Sequence, residues 1–104
     1  MKQMAAGEDS SVRKAVAGNS LAPPEVLVQL AADGSSLVRR AVSKNPSTPV
    51  EVLELLTADS NGGVREVVAR NSSAPVTLLR QLATDTTVEV KRAARSHSNA
   101  PEGL

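Results

Sequence analysis

The sequence predicts an all-α fold, an α-solenoid of stacked helix pairs, and three observations carry that expectation. The segment from Val38 to Asp59 recurs at a fixed period of 26 residues, the mark of a repeat array. Within each copy, aliphatic residues recur at i, i+3, i+4 and i+7, the spacing that gathers side chains on one face of a helix. Hydrophobic residues make up 40% of the 104-residue chain, yet Phe, Tyr and Trp are absent. A single compact core of this size ordinarily uses aromatics, whereas thin stacked layers can be filled by Val, Leu and Ala.

The register is read residue by residue. Val12, Arg13, Ala15, Val16, Asn19, Pro23, Glu25, Val26, Leu27 and Leu30 match the Val38–Asp59 segment one period upstream. Val64, Arg65, Val68, Asn71, Pro75, Val76, Leu79, Leu82 and Asp85 match it one period downstream. A fourth copy is worn: Val90, Lys91, Ala93, then His97 in the Asn slot, and Pro101. The chain is accordingly one array over residues 1–104. It divides into a partial repeat at 1–6, repeats at about 7–32, 33–58 and 59–84, and a partial repeat at 85–104.

In chain order, Met1 to Ala6 reads as the last turn of a helix, because Met1, Gln3 and Met4 fall in register with Leu27, Gln29 and Leu30. Gly7 to Ser11 is a loop, with Ser10 or Ser11 as the N-cap of the helix after it. Val12, Ala15, Val16 and Asn19 mark that short first helix, ended at Gly18-Asn19. Pro23 then falls in the first turn of a second helix, where its missing N–H is harmless. Val26, Leu27, Leu30 and Ala31 form the buried stripe of that helix, and Glu25 lies near its positive end. In the next copy Thr48-Pro49-Val50-Glu51 fits a capping box, with Thr48 as N-cap. The third copy opens on Asn61-Gly62-Gly63 and starts its second helix at Ala74-Pro75, and the fourth has a first helix from Val88 to Arg95. Helices this short are marginal alone and need neighbours on both sides.

Composition excludes several function classes. With no Cys there are no disulfides, iron–sulfur clusters or thiolate zinc sites. The N-terminus lacks the apolar centre of a signal peptide and no apolar run is long enough to span a bilayer, so a cytoplasmic protein is expected. There is no Gly-rich phosphate loop, metal-ligand cluster or Ser/His/Asp arrangement, so neither enzyme activity nor a cofactor is expected.

The motif Val-Arg-x-x-Val-x-x-Asn, then a turn, Pro, a Val/Leu-Leu-x-x-Leu helix and Asp, resembles the leucine-rich repeat variant, a helical repeat of bacterial proteins. Val38-Arg39 to Asp59, Val64-Arg65 to Asp85 and Val12-Arg13 to Asp33 carry the resemblance, and Val90 onward carries it weakly. It implies a right-handed superhelix of paired helices, allows one helix of each pair to be 3₁₀, and brings no general catalytic activity. Lys91, Ala94 and His97 depart from the pattern.

Three repeated features are candidates for function. The row Asn19, Asn45, Asn71 and His97 reads as turn chemistry past a helix end, where Asn satisfies backbone groups and tolerates left-handed backbone. The rows Arg13, Arg39, Arg65, Lys91 and Asp33, Asp59, Asp85 read as a ladder between repeats, because a catalytic centre needs one unique constellation. The third feature is charge segregation. Arg13, Lys14, Arg39, Arg40, Lys44, Arg65, Arg70, Lys91, Arg92 and Arg95 place ten of the twelve basic residues on or beside the first helices, against only Glu66 and Glu89. That basic wall is the candidate binding surface. A non-catalytic scaffold holding a protein partner is the first expectation, and a duplex nucleic-acid backbone binder is the alternative. Without aromatics, single strands and extruded bases are disfavoured.

The repeat ends add one expectation. With Met1 to Met4 opening in mid-helix and the fourth repeat lacking most of its second helix, Val12, Val16, Leu27 and Leu30 should be thinly covered. Leu78, Leu79 and Leu82 should lack their next layer. Open aliphatic ends favour self-association or membership of a longer array.

Overall fold

A computed structural model describes residues 9–101 and 103. It contains seven α-helices and, among the described residues, no strand. Their order is α1 (Ser10–Ala17), α2 (Pro24–Leu30), α3 (Ser36–Lys44), α4 (Val50–Leu56), α5 (Gly62–Arg70), α6 (Val76–Leu82) and α7 (Val88–Ser96). Odd helices are the first helices of the repeats and even helices the second. Both kinds are α, so the allowance for a 3₁₀ helix is not taken up among the described residues. The segment Met1 to Ala6, expected to be a helix end, lies outside the described residues.

Helix starts match the sequence with instructive shifts. Asp9, not Ser10 or Ser11, caps α1: its Oδ1 accepts the Ser11 N–H at 2.9 Å. Asn61 caps α5 by accepting from Gly63 and Val64. The even helices share another device. Pro23, Pro49 and Pro75 are the N-cap residues themselves, extended at ψ 150, 150 and 166, and no side chain caps these helices. Thr48 therefore does not form the expected capping box. Its hydroxyl is turned back and donates to the Val42 carbonyl at 2.7 Å, closing the preceding helix α3. Thr48 is buried, so its hydroxyl needs a partner inside the protein, and the free carbonyls at the end of α3 supply one.

Packing separates the helices into two layers. Each odd helix packs on the next odd helix, α1 on α3, α3 on α5 and α5 on α7. Even helices rest on odd ones and touch each other little, so the odd layer is the tighter of the two. The array measures 52 × 24 × 16 Å. Its core is the continuous aliphatic seam between the layers: Leu27, Leu30, Val38, Val42, Leu53, Leu56, Val64, Val68, Leu79, Leu82 and Val90 are all buried. Leu55 points outward at 65% exposure, as its alignment with Gln29 and Gln81 implies.

The ends differ from expectation. Val12 is 44% exposed, in line with a thin cover on α1, but Leu27 and Leu30 are buried. Leu78, Leu79 and Leu82 do not lack a layer either: α7 packs across α6, Ala100 adds to the cluster, and all three leucines are buried. Ala93 and Ala94 of α7 are buried in the same cluster.

Candidate interaction surface

Two polar ladders run through the array and decide which charges remain for a partner. The first is built from the Arg and Asp rows. Arg13 Nε lies 2.9 Å from Asp33, Arg39 Nε 2.7 Å from Asp59, and Arg65 Nε 2.8 Å from Asp85. Arg39 and Arg65 also use Nη1, donating to the Asp33 carbonyl at 2.8 Å and the Asp59 carbonyl at 2.7 Å. Each of these two arginines thus holds the carboxylate at the end of its own helix pair and the backbone at the end of the previous one. The Asp59 Oδ1 and Asp85 Oδ1 atoms accept the N–H groups of Asn61 and Thr87.

The electrostatics reflect this geometry. Burial alone raises the Asp59 carboxyl. The Arg39 hydrogen bonds, the Asn61 N–H and the charges of Arg39 and Arg65 outweigh it, so the net value lies below the ordinary 3.8. Asp85 is likewise raised by burial but lowered overall by Arg65 and Thr87. The hydrogen bond to Asp59 raises Arg39 above its ordinary value.

The second ladder is the Asn row. Asn45 Nδ2 donates to the carbonyls of Ala17 at 2.8 Å and Asn19 at 2.9 Å, and its Oδ1 accepts the Ser47 N–H. Asn71 repeats this toward Ser43 and Asn45, and accepts from Ser73. The turn role expected for these residues is present, but half of each amide is a clamp onto the preceding repeat. The backbone at Asn45 and Asn71 is extended, not left-handed. His97 keeps the slot with a different group: its Nε2 lies 2.7 Å from the Asn71 carbonyl and its Nδ1 accepts the Asn99 N–H. Those partners set the Nε2–H tautomer and occupy both ring nitrogens. Ser47 and Ser73 add bonds to Ser20 and Pro46 across the same joints.

With the ladders in place, the ten basic residues separate. Arg13, Arg39 and Arg65 turn into the joints, where Asp33, Asp59 and Asp85 neutralise them, so they do not face a partner. Lys91 continues that row half-buried. Arg95 reaches the Ala83 carbonyl at 3.3 Å, and Arg70 is held by Glu66 at 2.9 Å. Lys14, Arg40, Lys44 and Arg92 remain exposed, without an ion pair among the described residues. Sequence counting missed this because charge density depends on which way each side chain points, not on which helix carries it.

Three of those four cations gather around α3. Leu37, Arg40, Ala41 and Lys44 stand at i, i+3, i+4 and i+7 on the outward face of that helix, opposite its buried Val38 and Val42. Between α3 and α5 runs a cleft of about 570 Å³ bordered by Lys14, Leu37, Arg40, Lys44, Val67 and Arg70. A second cleft, about 560 Å³, lies between α1 and α3 and shares Lys14, Ala41, Lys44 and Pro46 with the first. Together they form one shallow trough across α1, α3 and α5. Its floor is aliphatic (Ala41, Val67 and Pro46), Leu37 stands 55% exposed at its edge, and the rest of its rim is cationic.

Comparison with known proteins agrees with the architecture. The leucine rich repeat variant family matches residues 11–35 and again residues 37–61. No curated protein and no solved structure matches the chain. The two matched segments are one 26-residue period apart, and the pair α5–α6 continues that period with its own Arg65–Asp85 bridge and Asn71 clamp. Two consecutive matches, in the register that organises the whole helix stack, identify residues 11–35 and 37–61 as leucine rich repeat variant repeats.

Proposed function

We propose that the chain is a non-catalytic helical-repeat scaffold that holds a protein partner against its odd-helix layer. The observation that carries this reading is the trough over α3. There Lys14, Arg40 and Lys44 stand exposed and without ion pairs among the described residues, beside the exposed Leu37. The Arg–Asp and Asn ladders are committed to joining repeats, so the same joints that build the stack leave this patch available. Exposed cations beside exposed aliphatic side chains are suited to a macromolecular surface of opposite charge.

The test is site-specific photo-crosslinking in the cells that make the protein. A benzophenone-bearing residue at Leu37 should yield a discrete protein adduct, and the same residue at Leu55, on the opposite layer, should not. Adducts to nucleic acid alone, equal adducts from both positions, or none from Leu37 would overturn the reading.

A further inference from the structure

We infer that the occupant of the trough is a short, extended acidic peptide segment with an aliphatic side chain between its carboxylates. This deepens the scaffold reading above and rests on it. The inference comes from the joint arrangement of charge, apolar floor and size.

Charge fixes the sign of the ligand. Lys14, Arg40 and Lys44 border the trough without acidic partners among the described residues, while Arg70 on the far side is already held by Glu66 at 2.9 Å. Opposite charge in the ligand is favoured on the α1–α3 side, and a less charged residue is favoured toward α5.

The floor fixes the second element. Ala41, Val67 and Pro46 line it, with Leu37 exposed at its edge. Phosphate oxygens gain nothing from such a surface, whereas a Leu, Ile or Val side chain gains by leaving water. The ladder asparagines give no main-chain reading here, because Asn45 and Asn71 are buried and their amides are spent on the preceding repeats. Recognition then falls to side chains of the ligand.

Size separates a peptide from a duplex. Packed helices lie roughly 8–10 Å apart, so crossing from α1 to α5 covers about 16–20 Å, or about five to six extended residues. A duplex laid along the 52 Å array would track the row Lys14, Arg40, Glu66 and Arg92, and its phosphates would meet the neutral Glu66–Arg70 pair and then Glu89. The cationic patch is as long as a short peptide and shorter than a useful duplex footprint.

The experiment is selection of random heptapeptides by phage display on the purified chain. Parallel selection uses a variant carrying Lys14→Glu, Arg40→Glu and Lys44→Glu, and binding is then measured by fluorescence anisotropy. The expected result is enrichment of peptides with two or more Asp or Glu and one aliphatic residue. Their affinity should fall at least tenfold on the triple variant, at least threefold on Leu37→Ser, and progressively with salt. Circular dichroism melts of both variants check that the stack is intact, and Lys44→Gln alone, a milder change on an exposed side chain, serves if the triple variant does not fold. No enrichment, enrichment of peptides that are not acidic, or acidic peptides indifferent to Lys44→Gln and Leu37→Ser would overturn the inference. So would tighter binding of duplex DNA at matched salt. A protein adduct from Leu37 without acidic-peptide enrichment would leave the scaffold reading standing and remove only this one.

Discussion

The side-chain amide of Asn45 donates to the backbone carbonyl of Asn19 at 2.9 Å, although the two residues hold the same slot in successive repeats. Asn45 is 2% exposed and also serves Ala17 and Ser47, whereas the exposed Asn19 side chain accepts from the Leu21 N–H. Equal sequence positions therefore carry unequal stability. Asn45→Ala should cost roughly 2–3 kcal/mol, because it strands buried carbonyls, and Asn19→Ala under about 1 kcal/mol. Urea melts of the two variants check the difference; equal costs would contradict the clamp.

The Arg–Asp ladder sets the response to acid. Asp59 and Asp85 titrate below 3.8 in the folded chain, so the unfolded chain binds more protons in the window just below that value. Their contribution is fully present above about pH 5 and is lost as pH falls through the folded values. The part of the stability against urea that these two carboxylates carry should thus be flat from neutral pH to about pH 5 and decline below it. Asp59→Asn and Asp85→Asn should lower stability at neutral pH, by roughly 1.5–3 kcal/mol each, and shrink the acid decline. An acid limb unchanged in the double variant would assign it to other groups.

Leu53 and Leu55 make a matched pair on α4. Leu53 is fully buried and Leu55 is 65% exposed. Leu53→Ala should cost roughly 2–5 kcal/mol, while Leu55→Gln should stay within about 0.5 kcal/mol of the parent. Denaturant midpoints at constant slope give both numbers.

His97 replaces the ladder Asn with a ring that reaches one upstream carbonyl rather than two. His97→Asn should restore the double contact, toward the carbonyls of Asn71 and Ala69, and stabilise the chain by about 0.5–1.5 kcal/mol. Thermal melts should show a higher midpoint. A clear loss would mean that the Asn99 contact to Nδ1 matters more than the missing bond.

Much of the fold is legible because a strict repeat states each packing rule several times. Leu53, Leu56, Leu79 and Leu82 are placed inside, and Leu55 outside, by register alone. The Arg and Asp rows announce their pairing by sharing one period. What the sequence hides is direction. The Asn row shows that an amide sits past each helix end, but not that it reaches back across the joint. Thr48 shows a hydroxyl before a proline, but not that the end of α3 outcompetes the start of α4 for it. The binding surface is hidden for the same reason: Arg39 and Arg40 are neighbours in sequence, yet one is neutralised at a joint and the other faces solvent.

The clamps at the two end joints are unequal, and this gives the array a polarity in how it comes apart. Shedding α7 and the segment after it breaks the single His97 contact to the Asn71 carbonyl and leaves the amides of Asn45 and Asn71 on their acceptors. Shedding α1 and α2 instead breaks both bonds of the Asn45 amide and uncovers the joint beneath it. Unzipping is thus less costly from one end than from the other, and synthesis runs in the favourable sense. The Ala17 and Asn19 carbonyls are already in place when the residue that will grip them leaves the ribosome, so each new repeat docks on a finished one.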